Sequence, residues 1–353
     1  MTSSSEHHQQ EPTEWFHRSV KQGSVDEEFP PEANRYHINH NYGCPFSCRT
    51  VVVRHLCGLQ DKISVANFAP YWGLSYPNAK EGDKYFGHES WVFDQNQNPG
   101  DKLVDAKCPI TGAYSAHEAY LKGCPENAKF EDFTADYTVP FMLDKKTKQV
   151  INSESHDIVK MMWCEFKNLW SEEAKKYIEE NNIDLFPSED STLGKEMTKV
   201  LDKYQNGIVL GIYKVGYPKS QEEFTKNLKT FYECMEDLEQ LLDSRRFLAG
   251  DKITFADLSL AMVLVRFDLA YYIRFRFGIK RLTDYKNIHA YMCDVVNILK
   301  INESAYVRDH IIQVFFGKKI DLERTHCFVP PAPLDTEFTQ EKLTKHGRDT
   351  RKY

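Results

Sequence analysis

A change of period near residue 165 constrains this chain more than any other feature: strand and helix signals alternate before it, and only helical signals follow. Arg35–Asn41 reads as a strand, Pro45–Gly58 as a helix carrying apolar Val51, Val52 and Leu56, and Ile63–Phe68 as a second strand. These three make a β-α-β unit. A short helix is expected around Ala113–Leu121. A hairpin then pairs Thr138–Leu143 with Val150–Ile151 across the turn Asp144–Thr147, and a helix runs from Ser155 to Met162. Beyond Trp170 no strand pattern survives. Gln221–Asp243 sets Phe224, Leu228, Phe231, Met235, Leu238 and Leu242 three or four residues apart, the stripe of an amphipathic helix. Thr254-Phe-Ala-Asp257 opens a further helix with a variant of the capping box.

The element order β-α-β-α-β-β-α followed by helices alone predicts a thioredoxin-like N-terminal domain and an all-helical C-terminal domain. At roughly 100–200 residues per domain, 353 residues fit two cores. The expected boundaries are an extension over 1–34, the thioredoxin-like domain over 35–165, the helical domain over 170–325 and a tail over 326–353. The extension is rich in Ser, His, Gln and Glu and poor in apolar residues, with Trp15 and Phe16 as its candidate anchors. Residues 69–111 show no period and read as a long functional loop.

Composition removes several classes of partner. The formal charge is −7 and the pI near 6.0, without the basic surface that nucleic acid or an anionic membrane demands. The longest apolar stretch, Phe255–Phe275, is interrupted by Asp257, Arg266 and Asp268, so no membrane span is expected. The first 30 residues lack the apolar core of a secretory signal and carry acids throughout, so neither a signal nor a transit peptide is legible and a cytosolic protein is expected. Nine cysteines without a C-x-x-C pair argue against both a disulfide framework and a zinc site.

One of those cysteines has a physical reason to react. Cys44 follows a strand and precedes Pro45, whose fixed φ and missing N–H suit the first position of a helix. At such an N-cap the unpaired N–H groups and the helix dipole stabilise an anion, which lowers a thiol pKa, and Arg49 adds positive charge one turn on. A small buried structural thiol is the alternative. Cys48 lies four residues further along the same face. It either approaches Cys44 as a resolving thiol or faces the core, the spacing favouring the core.

The run Asn41-Tyr-Gly-Cys44-Pro-Phe-Ser-Cys48-Arg49 resembles the active segment of the glutathionyl-hydroquinone reductases, the Xi class of glutathione transferases, related to the omega class. Similar segments follow in order: Trp91-Val-Phe93, Thr138-Val-Pro140, Leu143-Asp-Lys-Lys, Ile151-Asn-Ser-Glu154-Ser155, Ile212-Tyr213-Lys-Val-Gly216, and Val265-Arg266-Phe267-Asp268 with Tyr271. The chain departs from that pattern at Phe46, Ser47, Cys48, Asp136, Val209, Leu210, Leu269 and Arg274. The resemblance implies Cys44 as nucleophile and Tyr213 and Tyr271 as proton or hydrogen-bond donors. It implies that Trp91, Val139, Glu154 and Ser155 bind glutathione, with a cis bond before Pro140. Read without it, Glu154 and Ser155 are equally an ordinary helix start, and Trp91, Tyr213 and Tyr271 are core residues.

The function implied is glutathione-dependent reduction of glutathionyl-hydroquinones through a cysteine–glutathione mixed disulfide. Glutathione is the co-substrate, small aromatic conjugates are the substrates, no metal takes part, and the protein is a homodimer. An omega-like thioltransferase or dehydroascorbate-type reductase would use the same cysteine. A non-catalytic transferase-like interaction module is the reading from another class.

Overall fold

The computed structural model describes residues 16–21, 28–95, 100–124, 137–317, 338 and 340–350. Trp15, Asp136, the first 15 residues and most of 318–339 lie outside them. The described residues fall into two compact units, one drawn from Met1–Asn41 and Asp61–Met161, the other from Tyr42–Gln60 and Met162–Tyr353.

In the first unit a four-stranded sheet has the order β2-β1-β5-β6, with β1 (Tyr36–His40) parallel to β2 (Ser64–Asn67) and antiparallel to β5 (Phe141–Asp144), which pairs with β6 (Val150–Asn152). Every residue of β1, β5 and β6 is buried, the polar His37, Asn39 and His40 of β1 included. Arg35 grips Asp144 through two hydrogen bonds, of 2.8 and 3.0 Å, and Asp144 also accepts from Lys146 N and Thr147 Oγ1, which fixes the hairpin turn. The N-terminal extension is anchored at its described end: Phe16 packs edge-on against Tyr120, and Arg18 N donates to Ile151 O.

The region expected to be a patternless loop differs from that expectation. Residues 69–111 contain a two-stranded antiparallel sheet, β3 (Trp72–Leu74) with β4 (Glu89–Trp91), in which Trp72 faces Trp91. Strands of three residues are too short to establish a period of two. Between them, Tyr76 stacks on Tyr85, and the Tyr76 hydroxyl bonds His117 on α2 (Ala116–Lys122) at 2.9 Å. His88 and His117 lie ring against ring with centroids 4.0 Å apart.

The second unit holds α1 (Pro45–Leu56) together with the helices after Met162, and α1 lies against α8 (Phe255–Leu264) and α11 (Ile301–Ser304). The start of α7 (Gln221–Ser244) follows simple capping. Ser220 accepts from Glu223 N, Glu222 and Glu223 occupy the first turn, and Phe231, Met235, Leu238 and Leu242 form the buried stripe. Phe224 and Leu228, at the start of the same stripe, are only half-buried. Every residue of α8 is buried, as expected of a helix apolar all round. Its capping box closes as the sequence predicts: Asp257 accepts from Thr254 N at 2.8 Å and also from Leu248 N and the Tyr291 hydroxyl.

Candidate active site

Cys44 is the N-cap of α1, with extended backbone, and Pro45 fills the first helical position. The backbone N–H groups of Phe46 and Ser47 and the guanidinium groups of Arg266 and Arg49 all favour the charged form of its sulfur. Burial outweighs them. The Cys44 thiol is pushed above its ordinary value, first by desolvation, so the lowered value expected from the N-cap does not hold in the unliganded protein.

Aromatic rings surround the cysteine turn. Phe46 stacks on Tyr213, with centroids 6.0 Å apart, and the Tyr213 and Tyr271 hydroxyls share a hydrogen bond of 3.1 Å. Tyr271 in turn stacks on Phe275 and meets Phe315 edge-on. Burial raises both tyrosines, Tyr213 well above its ordinary range, so both remain protonated at neutral pH. The electrostatic neighbours of Tyr213 include Tyr271, Cys44 and Arg266, which joins Cys44 and the two phenols in one environment. A pair of phenols sharing one hydrogen bond retains one O–H to donate elsewhere.

Both tyrosines owe their placement to wide helical turns. The π-helical segment Gln205–Val209 leads into α6 (Gly211–Gly216), which carries Tyr213, and the π-helical segment Phe267–Tyr271 ends on Tyr271 itself. Such a turn holds one more residue than an α-turn and rotates the following side chains to a different face.

Cys48 is fully buried. Its sulfur contacts Tyr42 O at 3.2 Å and Ala305 O at 3.6 Å and receives an N–H of Arg266 at 3.0 Å. Desolvation pushes its pKa up to about 11, the environment of a core thiol. No disulfide joins the described cysteines. Sequence reasoning assigned no role to Arg266, whose side chain donates to the carbonyls of Tyr42, Gly43 and Met262 as well as to Cys48. The available signal was a cation in the middle of the apolar stretch Phe255–Phe275.

The residues implied for glutathione lie in the first unit. Val139 is buried and precedes the cis bond to Pro140 at the start of β5, as the resemblance implies. Glu154 is exposed, its N–H bonded to Asn152 Oδ1 at 2.7 Å and its carbonyl accepting from Ile158 N, while Ser155 opens α3 (Ser155–Cys164). Trp91 is half-buried and meets Trp72 edge-on at 6.1 Å. A cavity of about 580 Å³ in the same unit is lined by Tyr76, Tyr85, Tyr114 and Glu118 and by none of these four. Among the described residues no cluster of His, Cys, Asp and Glu is arranged to hold a metal, and no helix is long and apolar enough to cross a membrane.

A thioredoxin-like strand order, a cysteine at the first helix N-cap and an all-helical second half define the fold of the glutathione transferases. Residues 221–292 match the family model for the glutathione S-transferase C-terminal domain. Glutathione S-transferase omega-like 2 of Schizosaccharomyces pombe is 30% identical over 71% of this chain and 70% of its own. The glutathionyl-hydroquinone reductase PcpF of Sphingobium chlorophenolicum is 28% identical over 76% and 74%. The solved glutathione-S-transferase Xi from Phanerochaete chrysosporium superposes with a TM-score of 0.73 at 27% identity, covering 91% of this chain and 96% of that one. The chain belongs to the glutathione transferase family, on the branch that holds its omega-like members and the glutathionyl-hydroquinone reductases.

Proposed function

We propose that this protein is a glutathione-dependent thiol oxidoreductase that reduces glutathionyl-hydroquinones. The observation that carries this reading is Cys44 at a helix N-cap, electrostatically coupled to the protonated Tyr213–Tyr271 pair. The Cys44 thiolate attacks the sulfur of the conjugate. A sulfur–sulfur bond forms to glutathione, the bond from sulfur to aromatic carbon breaks with its electron pair left on the ring, and the carbon takes a proton. The hydroxyl left over in the tyrosine pair supplies or stabilises that proton. A second glutathione attacks the mixed disulfide, releases glutathione disulfide and restores Cys44. The net change is conjugate plus glutathione to hydroquinone plus glutathione disulfide.

Glutathione binding is assigned to residues 35–165. The Glu154 carboxylate pairs with the γ-glutamyl ammonium, Ser155 and the N–H groups of α3 hold its carboxylate, Val139 offers its backbone to the peptide-like middle, and Trp91 packs against the ligand. The aromatic ring is assigned to the helical part, 170–325. Cys48 stays a core residue, its sulfur already engaged by Arg266 and two carbonyls. Thiols without disulfides among the described cysteines suit the reducing cytoplasm, where the protein is taken to act as a homodimer. A thioltransferase acting on small disulfides through the same Cys44 is the second reading, favoured by the 30% identity to an omega-like relative. Incubation with glutathionyl-menadiol and glutathione separates them: release of menadiol by the wild type and not by Cys44→Ser supports the first, and turnover of a small disulfide without menadiol release supports the second.

A further inference from the structure

Arg266 is 1% exposed and carries a charge that water does not reach. Its Nε donates to Gly43 O at 3.2 Å, its Nη2 to Tyr42 O at 3.0 Å and to Cys48 Sγ at 3.0 Å, and its Nη1 to Met262 O, four residues back in α8. Those acceptors are carbonyls and a thiol. Among the described residues no carboxylate acts on it, and the groups that raise its pKa against the opposing effect of burial are Cys48, Tyr271, Cys44 and Tyr213. A buried cation without an anion is strongly destabilising, so a site that keeps one has a use for it.

We propose that Arg266 is the positioning residue of the reactive thiol: its guanidinium fork fixes Tyr42 and Gly43, the two residues that lead into Cys44, and its charge is balanced when the Cys44 thiolate forms in the reaction. A planar fork with donors at fixed angles holds two successive carbonyls at once, which an ammonium cannot do. The turn is thereby set before any ligand arrives, and the negative charge that appears on sulfur in each half of the reaction meets a cation already in place. This rests on reading Cys44 as the reactive thiol, but not on glutathione turnover. The other titratable groups around the turn are Cys48 and Arg49 on α1, Tyr213 on α6, Tyr271, and His310 on α12 (Arg308–Phe316), whose ring lies 5.8 Å from that of Tyr42.

The test is alkylation of Cys44 by iodoacetamide as a function of pH, located by peptide mass mapping, in the wild type, Arg266→Gln and Arg266→Lys, with circular dichroism to establish folding. Arg266→Gln keeps a donor and removes the charge, so its midpoint should rise by about one unit, near tenfold slower alkylation at neutral pH. Arg266→Lys keeps the charge, so its midpoint should stay closer to the wild type. A folded Arg266→Gln with an unchanged midpoint, or both variants shifted alike, would overturn the proposal. The wild type supplies a check that needs no variant: fully ionised Cys44 should prefer the anionic reagent iodoacetate over iodoacetamide more strongly than free glutathione does, and an equal or weaker preference counts against Arg266. An alkylation shift without menadiol turnover would sink only the proposed activity.

Discussion

Cys44 shows how two physical effects of opposite sign meet at one atom. The N-cap and the neighbouring guanidinium groups favour the thiolate, desolvation opposes it more strongly, and in the unliganded protein burial wins. The position of this cysteine was legible from Cys44-Pro45 between a strand and a helix, because capping is a local rule. Its titration was not, because burial comes from residues far away in the chain. Arg266 escaped for the same reason: its partners Tyr42, Gly43 and Cys48 lie more than 200 positions away in sequence. The phenols make a residue-scale prediction. Tyr213→Phe and Tyr271→Phe each break the shared hydrogen bond and leave one hydroxyl, so each should slow turnover moderately, whereas the double variant should lose on the order of 100-fold in kcat. Steady-state kinetics decide, and a double variant as fast as the wild type would remove the tyrosines from the mechanism. Substitution of Cys57 or Cys293 by Ala, both buried and neither at a helix N-cap, should leave the kcat of the folded protein close to that of the wild type.

Helices and strands with a local signature were read correctly, and the failures share a cause. The capping box of α8, the stripe of α7 and the strand–helix–strand order all declare themselves within a few residues. The π-helical segments before Tyr213 and at Tyr271 do not, since a single wide turn leaves no period, and β3 and β4 are too short to show one. The aromatic and histidine cluster that joins the β3–β4 connection to α2 yields a pH prediction. Burial, then His88 and Lys84, lower the His117 pKa from an ordinary 6.5 to about 4, and burial lowers His88 as well. Between those values the unfolded cluster binds more protons than the folded one. Stability there is therefore complete above about pH 6.5 and is lost as pH falls towards 4. Hydrogen exchange across 72–91 should accelerate from pH 7 to pH 5, after correction for intrinsic rates, well before α7 and α8 lose protection. Replacement of His117 by Gln, which has no proton to gain, should flatten that dependence, and equal acceleration in wild type and variant would contradict it.

At the scale of the whole molecule the fold class follows from the order of its parts, alternating strand and helix and then helix alone, and both the family model and the solved relatives agree with it. The proposed homodimer is tested on the full chain. Sedimentation velocity over a wide concentration range should give the dimer mass, and a single species at monomer mass throughout would exclude it. The account stands or falls on one covalent intermediate. The most direct measurement is a single turnover with limiting glutathionyl-hydroquinone and no added glutathione, quenched in acid and followed by intact-protein mass and peptide mapping. The account predicts one glutathione per chain, bound through Cys44, with an equal amount of hydroquinone released. Hydroquinone released while Cys44 stays unmodified, or an adduct carried by another cysteine, would contradict it.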